Sequence, residues 1–218
     1  MTGSGREFMD SFTALMAVSV AILLGAMSPG PSFLVVARTS IASSRARGVF
    51  AALGMGIGGA AFALAASLGL QLLLAAVPAI YKVLQVAGAA YLLFLAYKLW
   101  TSAPEALDTA DHELGRQDSR WQALLLGLGT QLSNPKAAIV YASVFSAVLP
   151  KTPSLSVVAI LALTVFAIEF GWYVVVAIAF STGRARQAYT RGKIWIDRLA
   201  AGAIAALGVK ILADAEFR

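Results

Sequence analysis

Hydrophobic residues run through this chain in six long stretches, roughly Phe8 to Ala42, Val49 to Val77, Ile80 to Trp100, Trp121 to Leu149, Leu155 to Phe180 and Ile194 to Ala213. Turn residues or charges separate them. Each stretch is long enough to cross a bilayer as a helix, which takes roughly 20 apolar residues. The pattern predicts an all-α integral membrane protein of six transmembrane helices. One long hydrophilic stretch, Thr101 to Arg120, holds Glu105, Asp108, Asp111, His112, Glu113, Arg116, Asp118 and Arg120. It divides a single domain, 1–218, into a first repeat of about 8–100 and a second of about 121–213, with 101–120 as linker. Three spans per repeat is an odd number, so the two repeats are expected to be inverted. The run from Phe8 to Met27 is longer than a usual signal-peptide core and follows Glu7 as well as Arg6, so it reads as the first span.

Composition sharpens this picture. Of the 218 residues 59% are hydrophobic and 13% charged, and the mean hydropathy of +0.79 exceeds what soluble domains show. Six spans and short loops nearly exhaust the length, leaving little for a separate catalytic domain. The net charge of +6 comes from basic residues scattered singly between apolar runs, which speaks for membrane topology and against nucleic acid. Loops after the first, third and fifth segments hold Arg38, Arg45, Arg47, Lys98, Arg116, Arg120, Arg184, Arg186, Arg191, Lys193 and Arg198; the opposite side has Arg6, Lys82, Lys151, Lys210 and Arg218. The excess predicts both termini outside the cytoplasm. There is no cysteine, and the single His112 lies in the linker, so neither a disulfide nor a metal or other cofactor is expected.

Two segments are interrupted. Pro29-Gly30-Pro31 breaks the first and Asn134-Pro135 the fourth, and Gly25 precedes Pro31 by the interval at which Gly129 precedes Pro135. Proline removes an amide donor, and lipid cannot satisfy the backbone groups that are freed. One membrane proline usually means a kink made for packing. Two breaks at matching positions point instead to a protein-lined cavity into which restarted half-helices aim their free N–H groups, a setting that suits a carboxylate. Ser28, Ser32, Ser133 and Asn134 then either meet a polar solute or satisfy nearby backbone.

Glu169 sits in the middle of the fifth segment, where a lone carboxylate costs on the order of 3 kcal/mol on insertion scales. It is a candidate to bind and release protons, or to hold a substrate ammonium; the plainer reading is an ion pair with Lys136, just after the second break. Lys136 itself either serves the site or snorkels to the interface. Gln71, Gln85 and Arg38 read as interfacial. Gly54, Gly56 and Gly59 satisfy G-x-G-x-x-G, but no strand or polar turn frames them, so a dinucleotide site fails. Gly54 and Gly58 have the spacing that lets membrane helices approach closely, within or between chains. An intramembrane enzyme would need paired acids or a nucleophile with its base, and Glu169 and Lys136 are too few.

The motifs Ser28-Pro29-Gly30-Pro31, Gly88-Ala89-Ala90-Tyr91-Leu92 and Asn134-Pro135-Lys136-Ala137, with Glu169, resemble the LysE/RhtB family of amino-acid exporters over nearly the whole chain. Ser143-Val144-Phe145-Ser146 and Trp195-Ile196-Asp197-Arg198 look most like its threonine-exporting branch. The resemblance implies a carrier of the bacterial inner membrane that expels neutral amino acids such as threonine or homoserine, is driven by protons and forms a homodimer. It also implies a central site made by the two breaks and Glu169. That branch tends to carry an acid directly after Pro-Gly-Pro, where this chain has Ser32, so the substrate stays open. An exporter of another small amino-acid-like or cationic solute, and a membrane scaffold that transports nothing, remain the alternatives.

Overall fold

The computed structural model describes residues 3–76, 80–104, 119–148 and 153–216, and their side chains except at 3–12, 70–76, 80–82, 84, 85, 147, 184–186 and 214–216. The acidic linker from Glu105 to Asp118, Lys151 and Arg218 lie outside these residues, as do the side chains of Arg6, Gln71, Lys82, Gln85, Arg184 and Arg186. Eight helices and no strand occur among the described residues: α1 Gly3–Met27, α2 Pro31–Ala42, α3 Arg45–Ala76, α4 Ile80–Ser102, α5 Arg120–Leu132, α6 Pro135–Val148, α7 Leu155–Phe180 and α8 Gly183–Glu216.

The helices begin and end where local chemistry requires. Pro31 takes the first position of α2 and Pro135 that of α6, where a missing N–H costs nothing. Ser119 and Gln122 close a capping box at the start of α5, and Ser154 caps α7. Two stretches, Arg45–Gly69 and Leu155–Phe180, are by themselves long and apolar enough to cross a bilayer. The pair Thr13–Met27 and Pro31–Ala42, bent by 54°, makes a third if taken as one broken span. One expectation is corrected: Arg184, Arg186, Arg191 and Lys193, placed in a loop by their charge, belong to the first turns of α8, which starts at Gly183 rather than near Ile194. Tertiary packing holds these turns, with Tyr189 set against Phe33 and Phe180 and Lys193 bonded to the Ala103 carbonyl.

The packing is that of a protein in lipid. Helix α7 turns Ile160, Leu163, Val175 and Ile178 outward and buries Val158, Leu161, Val165, Tyr173 and Val176. It is apolar on every side, which solvent water would not tolerate on the outer face. Helix α3 is the hub, packed along α5 and α7, while α4 packs along α8. Where α3 meets α5 the backbones touch: a Cβ at Gly54 would collide with the main chain of Leu124, Gly127 and Leu128, and one at Gly127 with that of Ala51. A Cβ at Gly58 would come 2.8 Å from Gln131 Cβ. Gly54 and Gly58 thus serve a contact within the chain.

Several aromatic and cationic contacts gather helix ends at one pole. Arg120 lies over Phe50 and Arg198 over Trp100, and Phe33 stacks on Tyr189 and meets Phe180 edge-on. The N-terminal ends of α3 and α5 and the C-terminal end of α7 share that pole, with Gly48 of α3 packed on Ala177 of α7, while Arg198 ties the end of α4 to the middle of α8 and Phe33 ties the first turn of α2 to α7 and α8. Helices α2 and α5 pack together on its side, and α1 and α6 pack together beyond the breaks.

Candidate functional site

Both breaks reach the interior beside Glu169. At 1.5 Å per residue, the 12 residues of α2 span about 18 Å from the first break to Ser43. Ser28, Gly30, Ser32, Asn134, Lys136 and Glu169 line one cavity, together with Gln131, Tyr141, Tyr173 and apolar groups from α1, α2 and α6. Pro29, Pro31 and Pro135 are not in its wall; they shape the backbone that is.

The second break closes on itself. With Pro135 unable to donate, the N–H of Asn134 reaches back to the Gln131 carbonyl at 3.2 Å. The Asn134 carboxamide oxygen then accepts from the Lys136 and Ala137 amides, at 3.0 and 3.4 Å, capping α6. The first break does not close in this way. Gly30, extended at φ −156°, precedes α2 without any side-chain cap, so the amides of Ser32 and Phe33 lack a side-chain acceptor. At the other edge of that break, the Gly25 carbonyl would bond the amide of residue 29, which is proline. The Lys136 ammonium takes its place, donating to Ser28 Oγ at 2.7 Å and to the Gly25 and Ser28 carbonyls at 3.3 Å. Glu169 and Lys136 line the same cavity but form no ion pair, so the pairing read as one alternative from the sequence does not occur.

Glu169, 4% exposed, is held by neutral donors. Its Oε1 accepts from Gln131 Nε2 at 3.1 Å and from the Tyr141 hydroxyl at 3.0 Å, whereas Oε2 is buried without a hydrogen-bond partner. Ser32 Oγ donates to Gln131 Oε1 at 2.6 Å and accepts from Asn134 Nδ2 at 2.9 Å. One chain of hydrogen bonds thus joins both breaks to the acid through α2, α5, α6 and α7. Room for the acid comes from Gly59, where a Cβ would stand 2.9 Å from Tyr141 Oη and 3.0 Å from Glu169 Cγ. The open space is about 30 Å³, enough for a water molecule rather than an amino acid.

Sequence reasoning missed Gln131, Tyr141, Tyr173 and Gly59. A lone glutamine three residues before Asn134, inside an apolar segment, was the signal available for the first. It also missed the burial of Lys193 and Asp197: Lys193 Nζ bonds Asp197 Oδ2 at 2.8 Å and the Ala103 carbonyl at 3.1 Å, tying α8 to the end of α4. No group of acids and histidines able to hold a metal occurs among the described residues.

Broken helices meeting around a buried acid and a free helix N-terminus, on a scaffold with lipid-compatible faces, define a helical membrane protein of the translocator class. Residues 23–215 match the model of the LysE type translocator, and the chain belongs to that family. The chain is similar to the threonine efflux protein of Salmonella typhi, 32% identical over 92% of this chain and 96% of the relative. To the threonine efflux protein of Escherichia coli K12 it is 29% identical, over 90% of this chain and 96% of that one. A leucine efflux protein of Enterobacter sp. strain 638 is 34% identical over 54% of each chain. No solved structure matches significantly.

Proposed function

We propose that this chain exports small neutral amino acids, of the threonine or homoserine kind, from the bacterial cytoplasm across the inner membrane in exchange for protons. In this reading the eight helices make six spans in two inverted repeats, α1 to α4 and α5 to α8, with the basic pole cytoplasmic and both termini periplasmic. Part of the packing supports it: α3 pairs with α7 and α4 with α8, and the α2–α5 contact has its counterpart in α1–α6, whereas the α4–α6 contact has no equal between α2 and α8. Relatives named for threonine and leucine efflux favour an amino acid as the solute.

The observation that carries the proposal is Glu169 Oε2, buried and unpartnered, in a cavity that also holds the uncapped start of α2. The substrate carboxylate lies on the Ser32 and Phe33 amides, near the positive end of α2 and the Lys136 ammonium. Its ammonium, or a proton, occupies Glu169 in alternation, so that each entering proton releases one solute. Threonine does not fit in about 30 Å³, so loading requires the α1–α2 and α5–α6 breaks to part. A scaffold or dimer resting on the Gly54 and Gly58 face finds no support, because α5 occupies that face.

Threonine flux in liposomes, with and without an imposed pH gradient, tests this. The native protein should show gradient-driven flux, and Glu169→Gln should lose it at least tenfold while still folding, since glutamine keeps an acceptor for Gln131 and Tyr141. Equal gradient-driven flux in the variant would defeat proton coupling through this acid. No flux of any neutral amino acid by the native protein would defeat the substrate assignment.

A further inference from the structure

The geometry points to Lys136 as a built-in cation: its ammonium occupies a monovalent-cation site at the broken end of α1, in place of a dissolved alkali ion. This rests on the carrier reading above but concerns a different part of the site. The C-terminal end of a helix is the negative end of its dipole, and Pro29 leaves the Gly25 carbonyl without its normal donor. The three oxygens around the ammonium, two carbonyls and a hydroxyl, form the hard, neutral donor set that an alkali cation takes. Unwound carbonyls and half-helix C-terminal ends are where carriers with broken helices hold coupling cations.

Two features argue against an ordinary structural lysine. The ammonium comes from α6, more than a hundred residues away, and is held by no carboxylate, although Glu169 lines the same cavity. A lysine that served only as an anchor would carry its charge outward to the interface, whereas this one lines the cavity beside Gly30. Bound here, the tether holds α6 to α1 across the two breaks, and the cation can never be lost to solution. The carrier therefore works without sodium or potassium.

Removing the tether should expose the vacated oxygens to a free cation. Purified Lys136→Ala is melted in sodium, lithium, potassium and choline chlorides at equal ionic strength, beside the native protein. We expect one small cation, well above its dissociation constant, to raise the melting temperature of the variant by about 5 °C over choline, and to leave the native protein unmoved. The same melting temperature for the variant in all four salts overturns the proposal. So does an equal rise in the native protein. If the alanine variant purifies in no salt, Lys136→Ser is melted in the same four salts: a rise confined to one small cation upholds the proposal, and equal melting temperatures in all four overturn it. Because melting needs no substrate, a failed amino-acid assignment would not be mistaken for a failed cation site.

Discussion

The two helix breaks start from the same problem and solve it differently. Each has a proline at the first position of the helix that follows, and each strands a carbonyl of the helix that precedes. At Asn134-Pro135 one residue does all the repair, its amide reaching the Gln131 carbonyl and its side chain capping α6. At Pro29-Gly30-Pro31 nothing local can do so: two of three residues are prolines and the third has no side chain. The carbonyls are served from α6 by Lys136, and the Ser32 and Phe33 amides at the start of α2 are left without a side-chain cap. A break that satisfies itself is a fixed joint, whereas one that depends on a distant partner is open to a ligand and to rearrangement.

The comparison can be broken most directly at its self-sufficient member. Asn134→Ala removes the α6 cap and the bond to Ser32 together and should cost about 2 kcal/mol, read as a lowered melting temperature with helix content retained. A neutral result would mean that the second break also leans on outside partners. A smaller effect, about 1 kcal/mol, is expected from Pro29→Ala placed in a Lys136→Met background, because the new amide can serve the Gly25 carbonyl that the lost ammonium abandons. Measured by a double-mutant cycle, the two changes should be less harmful together than their sum; strict additivity would show that the missing amide is not what Lys136 replaces. Smallest is Ser28→Ala, which removes one of three oxygens from the ammonium and should lower stability by at most about 1 kcal/mol while leaving both carbonyl bonds in place.

How much of this was legible in the sequence depends on how local the cause is. Pro29, Pro31 and Pro135 break helices for reasons contained in one or two residues, so the interruptions could be read directly, and Glu169 stood out because nothing around it is charged. Gln131 and Tyr141 were invisible as site residues. Each touches Glu169 only because α5 and α6 pack beside α7, and neither residue type is costly enough in an apolar segment to raise a question by itself. Lys193 and Asp197 were four residues apart in plain view, a spacing that pairs charges on a helix. Lys193 read as a loop residue and Asp197 as part of the sixth apolar segment, and only the packing of α4 on α8 reveals that both are buried.

The seam at Gly54 and Gly127 has a consequence for where the molecule keeps its conformational entropy. Main chain rests on main chain there, and glycine and alanine have no rotamers to freeze, so ordering the seam costs no side-chain freedom. Across the interior the opposite holds. Lys136, Gln131 and Glu169 are long side chains with several torsions each, fixed only by a few hydrogen bonds. Rotamer freedom is thus surrendered at the centre and not at the seam, so each hydrogen bond around the cavity has a side-chain entropy cost to offset that the glycine contact does not.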